Sequence, residues 1–228
     1  MNIRRFVACL CFLFATEFVA MASASADETL TMGVFAYRPD SVLQERYQPL
    51  TDYLSRETGI SVRLEVLNQE NMSRAIAANR LDFFLTNPSH FLLIRSERSL
   101  TGVLATLVRR SGQSSTGSLG GVIFTRAERD DIEQLADIRD KTIASPGVHF
   151  LGGYQTQVLE LMDAGIDIRR VNLIRFMGTH DRVVRSVLSG YADVGFIRTS
   201  ILEQMAQEDP DLFTRVKVLN RQRLAGFP

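Results

Sequence analysis

The chain has 228 residues, of which 45% are hydrophobic, and its 26 basic side chains are matched by 26 acidic ones. This charge balance gives no electrostatic case for binding nucleic acid or a membrane surface. Both cysteines, Cys9 and Cys11, lie in the first apolar run, which excludes disulfides and cysteine metal sites from the rest of the chain.

The first 26 residues have the pattern of a secretory signal peptide. Basic residues precede a short apolar run over residues 6–15, and small residues lead to cleavage points after Ala24 and Ala26. The apolar run is too short to anchor the chain stably in a bilayer. We therefore predict export to the periplasm, with no membrane insertion after cleavage. A buried N-terminal helix and lipid attachment to a cysteine of the run are the alternatives.

After the signal peptide, predicted strands and helices alternate along the chain. The first helix has apolar residues at helical spacing, and Pro49 inside it predicts a kink or a late start. The elements predicted in the first half are a strand over 30–35, a helix over 41–58, a strand over 61–67, a helix over 70–79, a strand over 81–85, a helix over 89–96 and a strand over 100–108.

A stretch over residues 111–118, rich in serine and glycine, predicts a crossing between two lobes. The alternation continues after it, which predicts an α/β fold with mostly parallel sheets covered by helices on both faces. The elements predicted in the second half are strands over 121–125, 142–144, 172–176, 193–197 and 214–219, and helices over 131–139, 153–164, 181–189 and 200–207.

A helix-to-strand unit occurs twice, over residues 74–87 and 185–198. In each copy the helix ends at a turn-forming residue, Asn79 or Gly190, and an aspartate, a short apolar run and a polar loop follow. Matched units indicate two similar α/β lobes that each direct a strand end towards one cleft, where a ligand would bind. The alternative is that such units are common in any α/β protein.

These patterns predict a signal peptide over 1–26 and a second lobe over 116–198. The first lobe is predicted to be discontinuous, formed by residues 27–115 and 199–228, because we expect the last helix and strand to return to it. Two lobes around a cleft can close on a ligand.

Residues that follow predicted strands are the candidates for ligand contacts, because open α/β folds bind ligands at the carboxyl ends of their strands. In the first lobe they are Tyr37, Asn87, Ser89 and His90; in the second lobe they are Ser145, Tyr154, Thr179, His180 and Arg198.

The chemistry of these candidates favours an anionic or strongly polar ligand. Tyr37 can cover a ligand with its ring and donate from its hydroxyl. Arg198 can pair with an oxyanion through two N–H groups, although an ion pair with Glu203 or another carboxylate is the structural alternative. The glycine-rich loop before Gly153 and the helix start near Asp181 can offer free backbone N–H groups.

No motif indicates catalysis. The three histidines, His90, His149 and His180, could in principle hold a metal, but they lack the ligand spacing of a metal site. Neither a nucleophile elbow, a zinc-protease helix nor a phosphate-binding loop is present in the sequence. We therefore predict a protein that is not an enzyme, with no metal and no cofactor.

Three runs of sequence resemble one known family. They are the run over 120–126, the turn over 152–155, and the segment over 190–203 with its Arg-Thr-x-x-Leu-Glu ending. The chain is similar over residues 30–228 to the phosphate/phosphonate-binding-like (PhnD-like) periplasmic substrate-binding proteins. It is closest to the branch used as input domains of bacterial sensor histidine kinases.

The resemblance implies a type II periplasmic binding fold with two α/β lobes, mixed and mostly parallel sheets, a two-stranded hinge and a ligand in the cleft. It implies a small-molecule ligand, an oxyanion or other small polar solute, held partly at the helix start after Ser145. It also implies a membrane partner. The interpretation that follows is a ligand-sensing domain of a two-component histidine kinase system; the alternative is the binding component of a phosphonate or phosphate ABC transporter with its permease.

Overall fold

A computed structural model describes residues 28–111 and 114–220. The first sheet is formed by strands near the start of the first of these ranges. Three parallel strands lie in the order β2-β1-β3. The elements of this first lobe are β1 (Thr29–Phe35), α1 (Asp40–Thr58), β2 (Ser61–Leu67), α2 (Gln69–Ala77), β3 (Phe83–Leu85) and α3 (Pro88–Glu97).

Helix α1 shows how the sequence determines this lobe. Leu43, Tyr47 and Thr51 recur every four residues and are buried, so one face of the helix covers the sheet. The helix continues through Pro49. It ends at Gly59, whose φ of 71° is a left-handed conformation that glycine adopts without strain.

An antiparallel hairpin follows at the predicted crossing. It consists of β4 (Arg109–Ser111) and β5 (Ser114–Thr116). The strand predicted over 100–108 is wrong, because the backbone over 101–108 is irregular and exposed and the strand begins only at Arg109.

The second sheet is mixed, with five strands in the order β10-β6-β9-β7-β8. The last three are parallel to one another, whereas β6 is antiparallel to both of its neighbours. The elements of this second lobe are β6 (Gly121–Arg126), a 3₁₀ turn (Leu135–Ile138), β7 (Ile143–Ser145), a π-helical turn (Leu151–Gln155), α4 (Thr156–Asp163), α5 (Ile168–Val171), β8 (Ile174–Phe176), α6 (His180–Leu188), β9 (Val194–Arg198), α7 (Ile201–Met205), α8 (Leu212–Arg215) and β10 (Val216–Val218).

Apolar residues cover both faces of this sheet. Along β6, Val122 and Phe124 face one apolar cluster, which includes Val183 of α6, while Ile123 faces the other, which includes Leu161 of α4. Successive side chains of a strand point to opposite faces, so a strand that is apolar throughout is buried on both sides.

The predicted return of residues 199–228 to the first lobe is wrong for the described part of that segment, which ends at Asn220. Strand β10 pairs with β6, and Leu212 and Val216 are buried in the apolar cluster of the second sheet. The Asn220 side chain extends the pairing, because it accepts a hydrogen bond from the Ile123 N–H at 2.8 Å. Residues 221–228 lie outside the described part of the chain.

None of the helices in the described ranges has the length and hydropathy that crossing a bilayer requires. The predicted signal peptide lies outside the described residues.

Candidate functional site

The two lobes meet where β1 ends and α6 begins. The His180 N–H, at the start of α6, donates to the Tyr37 carbonyl oxygen at 3.2 Å. The next residue on each side makes an ion pair, in which Arg38 Nε and Nη2 donate to the two carboxylate oxygens of Asp181 at 3.0 and 2.9 Å. The hydrogen bonds with Asp181 raise the pKa of Arg38.

Donor groups surround the hydroxyl and ring of Tyr37. Its hydroxyl lies 3.3 Å from the Tyr47 hydroxyl and accepts from Arg46 Nη1 at 3.1 Å. The Arg198 Cζ atom lies 4.8 Å from the centre of the Tyr37 ring, a cation–π contact. Burial alone would raise the pKa of Tyr37, but the hydrogen bond with Tyr47 and the positive charges of Arg198 and Arg46 lower it. Burial raises the pKa of Tyr47. We call these four side chains the Arg–Tyr cluster: Tyr37, Tyr47, Arg46 and Arg198. Its donors and positive charges favour a negatively charged ligand.

Arg198 is held in this position by the end of β9 and by the π-helical turn. The residue is 5% exposed, and its Nη1 donates to the Thr199 carbonyl at 3.0 Å. A Cβ atom on Gly152 would lie 2.8 Å from the Cβ atom of Arg198 and 2.9 Å from the carbonyl oxygen of Gly120. Only glycine fits between these groups.

The second glycine of the turn is packed in the same way. A Cβ atom on Gly153 would lie 2.5 Å from Pro146 Cγ and 2.7 Å from His180 Cε1. The sequence predicts that this glycine-rich backbone comes close to a ligand; the structure brings it against the side chains of Arg198 and His180 instead. π-helical turns are common at functional sites.

Phe150, just before this turn, carries an apolar contact between the lobes. Its ring centre lies 5.0 Å from that of Phe35 at the end of β1 and 5.5 Å from that of His180. It belongs to the same buried cluster as Met72 and Ile94 of the first lobe. A side chain of the second lobe is therefore inserted into the first lobe's core.

His90 is fully buried, and both of its ring nitrogens have partners. Nε2 lies 3.0 Å from Ser73 Oγ, and Nδ1 lies 2.8 Å from Thr86 Oγ1. Burial, and to a smaller extent the nearby His149, lower the pKa of His90 to about 4. The ring is thus neutral at pH 7 and joins α2 to the loop before α3.

Asn87 and Ser89 form the start of α3. The Asn87 Oδ1 atom accepts from the His90 N–H at 3.0 Å and from Ser89 Oγ at 2.8 Å. Ser89 Oγ also lies 2.8 Å from the carbonyl oxygen of His149, in the second lobe. Asn87 Nδ2 is buried and has no hydrogen-bond partner among the described residues, so one donor remains available near the junction.

The other candidates of the second lobe make local contacts. Ser145 Oγ donates to the Gly153 carbonyl at 2.9 Å, and the Thr179 side chain caps α6 by accepting from the Arg182 N–H. The Tyr154 ring packs on Phe176, with 5.8 Å between ring centres, and burial raises its pKa.

The structure therefore brings Tyr37, Ser89, His180 and Arg198 to the junction between the lobes. Sequence reasoning missed five residues there, although each is adjacent to a predicted residue or lies on α1 or the loop before the π-helical turn. They are Arg38, Arg46, Tyr47, Phe150 and Asp181.

The family described as phosphonate ABC transporter, periplasmic substrate-binding protein, matches residues 32–226 of the chain. The tetrathionate sensor histidine kinase TtrS of Salmonella typhimurium is 27% identical over 182 residues, a match that covers 79% of this chain and 31% of the kinase. The phosphate-import protein PhnD of Mycolicibacterium smegmatis is 21% identical over 193 residues, covering 81% of this chain and 60% of that protein. The chain thus spans less than two thirds of either relative.

Two solved structures share the fold, each with a TM-score of 0.71. One is a binding protein component of a phosphonate ABC transporter from Pseudomonas aeruginosa, at 13% identity, covering 85% of this chain and 65% of that one. The other is PhnD1 from Prochlorococcus marinus in complex with methylphosphonate, at 17% identity, covering 85% and 72%. The predicted fold class, two α/β lobes of the type II periplasmic binding kind, is confirmed.

Proposed function

Because the chain belongs to the family of periplasmic substrate-binding proteins of phosphonate ABC transporters, we propose that it binds a small oxyanion between its lobes and acts as the ligand-sensing domain of a two-component histidine kinase system. The family consists of substrate-binding proteins rather than enzymes. We also propose that residues 1–26 direct the chain to the periplasm and are then removed.

The observation that carries the proposed ligand class is the Arg–Tyr cluster. Arg198 comes from the second lobe, while Tyr37 and Arg46 come from the first, so an anion that binds to this cluster would contact both lobes. Guanidinium groups donate paired N–H bonds to oxyanions, and phenol hydroxyls can donate a further bond. The buried Nδ2 atom of Asn87, which also belongs to the first lobe, is a fourth donor at the junction.

The relatives support a sensing role more than a transport role. The relative named as a tetrathionate sensor kinase shares 27% identity with the chain, and the one named as a phosphate importer shares 21%. A substrate-binding component of a phosphonate or phosphate ABC transporter is the second candidate, supported by the family description.

Calorimetry on the mature protein tests the ligand class. Tetrathionate, phosphate and methylphosphonate should be titrated separately, with an uncharged solute of similar size as the control. At least one of the anions should bind, and it should be recovered unchanged after prolonged incubation. Failure of all three, or turnover of the bound anion, would contradict the proposal.

A deletion strain separates the two roles. If the chain serves a sensor, the deletion removes the transcriptional response to the anion that binds and leaves uptake of that anion intact. If it serves a transporter, uptake of the labelled anion falls, and the transcriptional response to anion supplied inside the cell persists.

A further inference from the structure

We propose that Arg38 and Asp181 form a clasp that joins the two lobes without help from a ligand and thereby positions the two halves of the binding site. This inference rests on the proposed function, because the residues that the clasp aligns are proposed to contact the ligand. In this role Arg38 and Asp181 are positioning residues.

The clasp has two adjacent points of attachment. One is the ion pair, in which the planar guanidinium of Arg38 meets both carboxylate oxygens of Asp181. The other is the hydrogen bond from the His180 backbone N–H to the Tyr37 carbonyl oxygen. Each of these two residues directly precedes a clasp residue. Two neighbouring bonds of this kind fix the direction of the contact as well as its distance.

Burial makes the ion pair sensitive to separation of the lobes. Arg38 is 2% exposed and Asp181 is 4% exposed. A charge that stays buried after it loses its partner suffers a large desolvation penalty, so replacing either residue should favour separation of the lobes, which lets water solvate the remaining charge. Glu208, in the second lobe, lies 3.7 Å from Arg38 Nη2 and adds to the attraction.

Further interlobe contacts lie on either side of the clasp. On one side Arg46 Nη1 donates to Gln204 Oε1 of α7 at 2.9 Å. On the other side Phe150 is inserted beside Phe35, and Ser89 Oγ lies 2.8 Å from the His149 carbonyl oxygen. Both partners in each of these contacts are protein groups, so none of them depends on a bound ligand.

The consequence is a cleft whose two faces are aligned in advance. Tyr37 precedes Arg38 directly, and His180 precedes Asp181 directly, so the clasp sets the position of one candidate ligand contact in each lobe. A ligand would then meet a preorganised site, which reduces the ordering cost of binding. Loss of the clasp should therefore weaken binding through the displaced positions of Tyr37 and His180.

The test is made on the mature protein with no added ligand. Small-angle scattering gives the radius of gyration, and amide hydrogen exchange reports the His180 N–H. In Asp181→Asn the radius should increase, and the His180 amide should exchange about tenfold faster or more, as expected when a protected amide gains access to local opening. Arg38→Lys should give a smaller change in the same direction, since lysine retains the charge but not the paired N–H geometry.

The matched control is Asp193→Asn. Asp193 also pairs with an arginine, Arg129, and in addition it accepts a hydrogen bond from the Thr142 backbone N–H, but all three residues lie within the second lobe. This variant should lower the melting temperature while the radius of gyration and the His180 exchange rate stay at wild-type values.

If the clasp variants keep the wild-type radius and His180 exchange rate, the inference is wrong. If Asp181→Asn does not fold, the double variant Arg38→Gln with Asp181→Asn leaves no unpaired buried charge, since Glu208 is exposed, and must show the same opening. The test uses no ligand, so its result is independent of the calorimetry. If the clasp variants open and none of the three anions binds, the clasp is supported and only the proposed function is refuted.

Discussion

Arg198 is the side chain through which the proposed site can be tested most directly. Replacing it with alanine should weaken binding of whichever anion binds by about 1.5–3 kcal/mol, as expected for a hydrogen bond to a charged group. Calorimetry measures the change. Arg175→Ala is a matched control, since Arg175 stacks at 4.3 Å on the exposed ring of Tyr191 in the same lobe and should leave the affinity unchanged.

The structural alternative for Arg198 makes a different prediction. If the residue only supports the fold, its alanine variant should keep the wild-type affinity and show a large fall in melting temperature.

His90 should make stability depend on pH. Its pKa is about 4 in the folded protein, against an ordinary value of 6.5. Above pH 6.5 both the folded and unfolded states hold a neutral ring, so this contribution to stability is constant. Between pH 6.5 and 4 the unfolded chain binds a proton that the folded chain does not, and the free energy of unfolding should fall by up to about 3 kcal/mol.

Urea unfolding at a series of pH values checks this dependence. His90→Gln, which cannot titrate, should lose less stability over that pH range than the wild type. His149→Asn should keep most of the wild-type slope, because burial is the larger cause of the lowered pKa. Equal slopes in His90→Gln and wild type would contradict the assignment.

The contacts of individual residues show which parts of the proposed site can be predicted from the sequence. Tyr37, His180 and Arg198 could be placed near one another because Tyr37 and His180 follow strands and Arg198 is the last residue of one, all at the carboxyl edge of a sheet. The partnership of Arg38 with Asp181 could not, since it joins residues 143 positions apart and no spacing rule links them. What the sequence offers for Arg38 and Asp181 is only their position: each directly follows a residue predicted to contact the ligand.

At the scale of elements, the π-helical turn depends on its glycines. Gly152→Ala should lower the free energy of unfolding by about 1–3 kcal/mol, because the new methyl group meets a backbone oxygen and a Cβ atom that cannot rotate away. It should also weaken anion binding by displacing Arg198. Thermal unfolding and calorimetry measure the two effects.

Gly117→Ala is the control for this variant. A Cβ atom at Gly117 meets nothing within 4 Å, so its stability should stay within about 0.5 kcal/mol of wild type. If Gly152→Ala is as stable as this control, the turn is more adaptable than its packing indicates.

The sequence correctly predicts elements whose apolar residues repeat at regular spacing along their whole length. It does not predict elements whose backbone is held by hydrogen bonds from nearby side chains. The helix predicted over 131–139 is wrong and reduces to the 3₁₀ turn, because the Asp137 carboxylate accepts from the Glu133 and Gln134 N–H groups and holds the backbone in a turn. The sequence predicts β10 as a strand but does not identify its partner, since a strand of three residues with Lys217 between two valines fits the edge of either sheet.

For the whole molecule, we predict that the mature protein begins at Ser25 or Asp27. The pattern of the first 26 residues motivates this expectation. N-terminal sequencing of material released from the periplasm should find one of these two residues. Cytoplasmic material that begins at Met1 would contradict export, and a lipid-modified N-terminus would indicate anchoring instead.

The position of Phe150 gives the whole molecule a built-in place for an optical probe. The chain contains no tryptophan, so a single indole would emit against a background of five tyrosines. Phe150→Trp would place that indole between Phe35 of one lobe and His180 of the other. Its emission would shift towards the red as water reached the ring, so the fluorescence colour of one molecule would report whether its two lobes are together or apart.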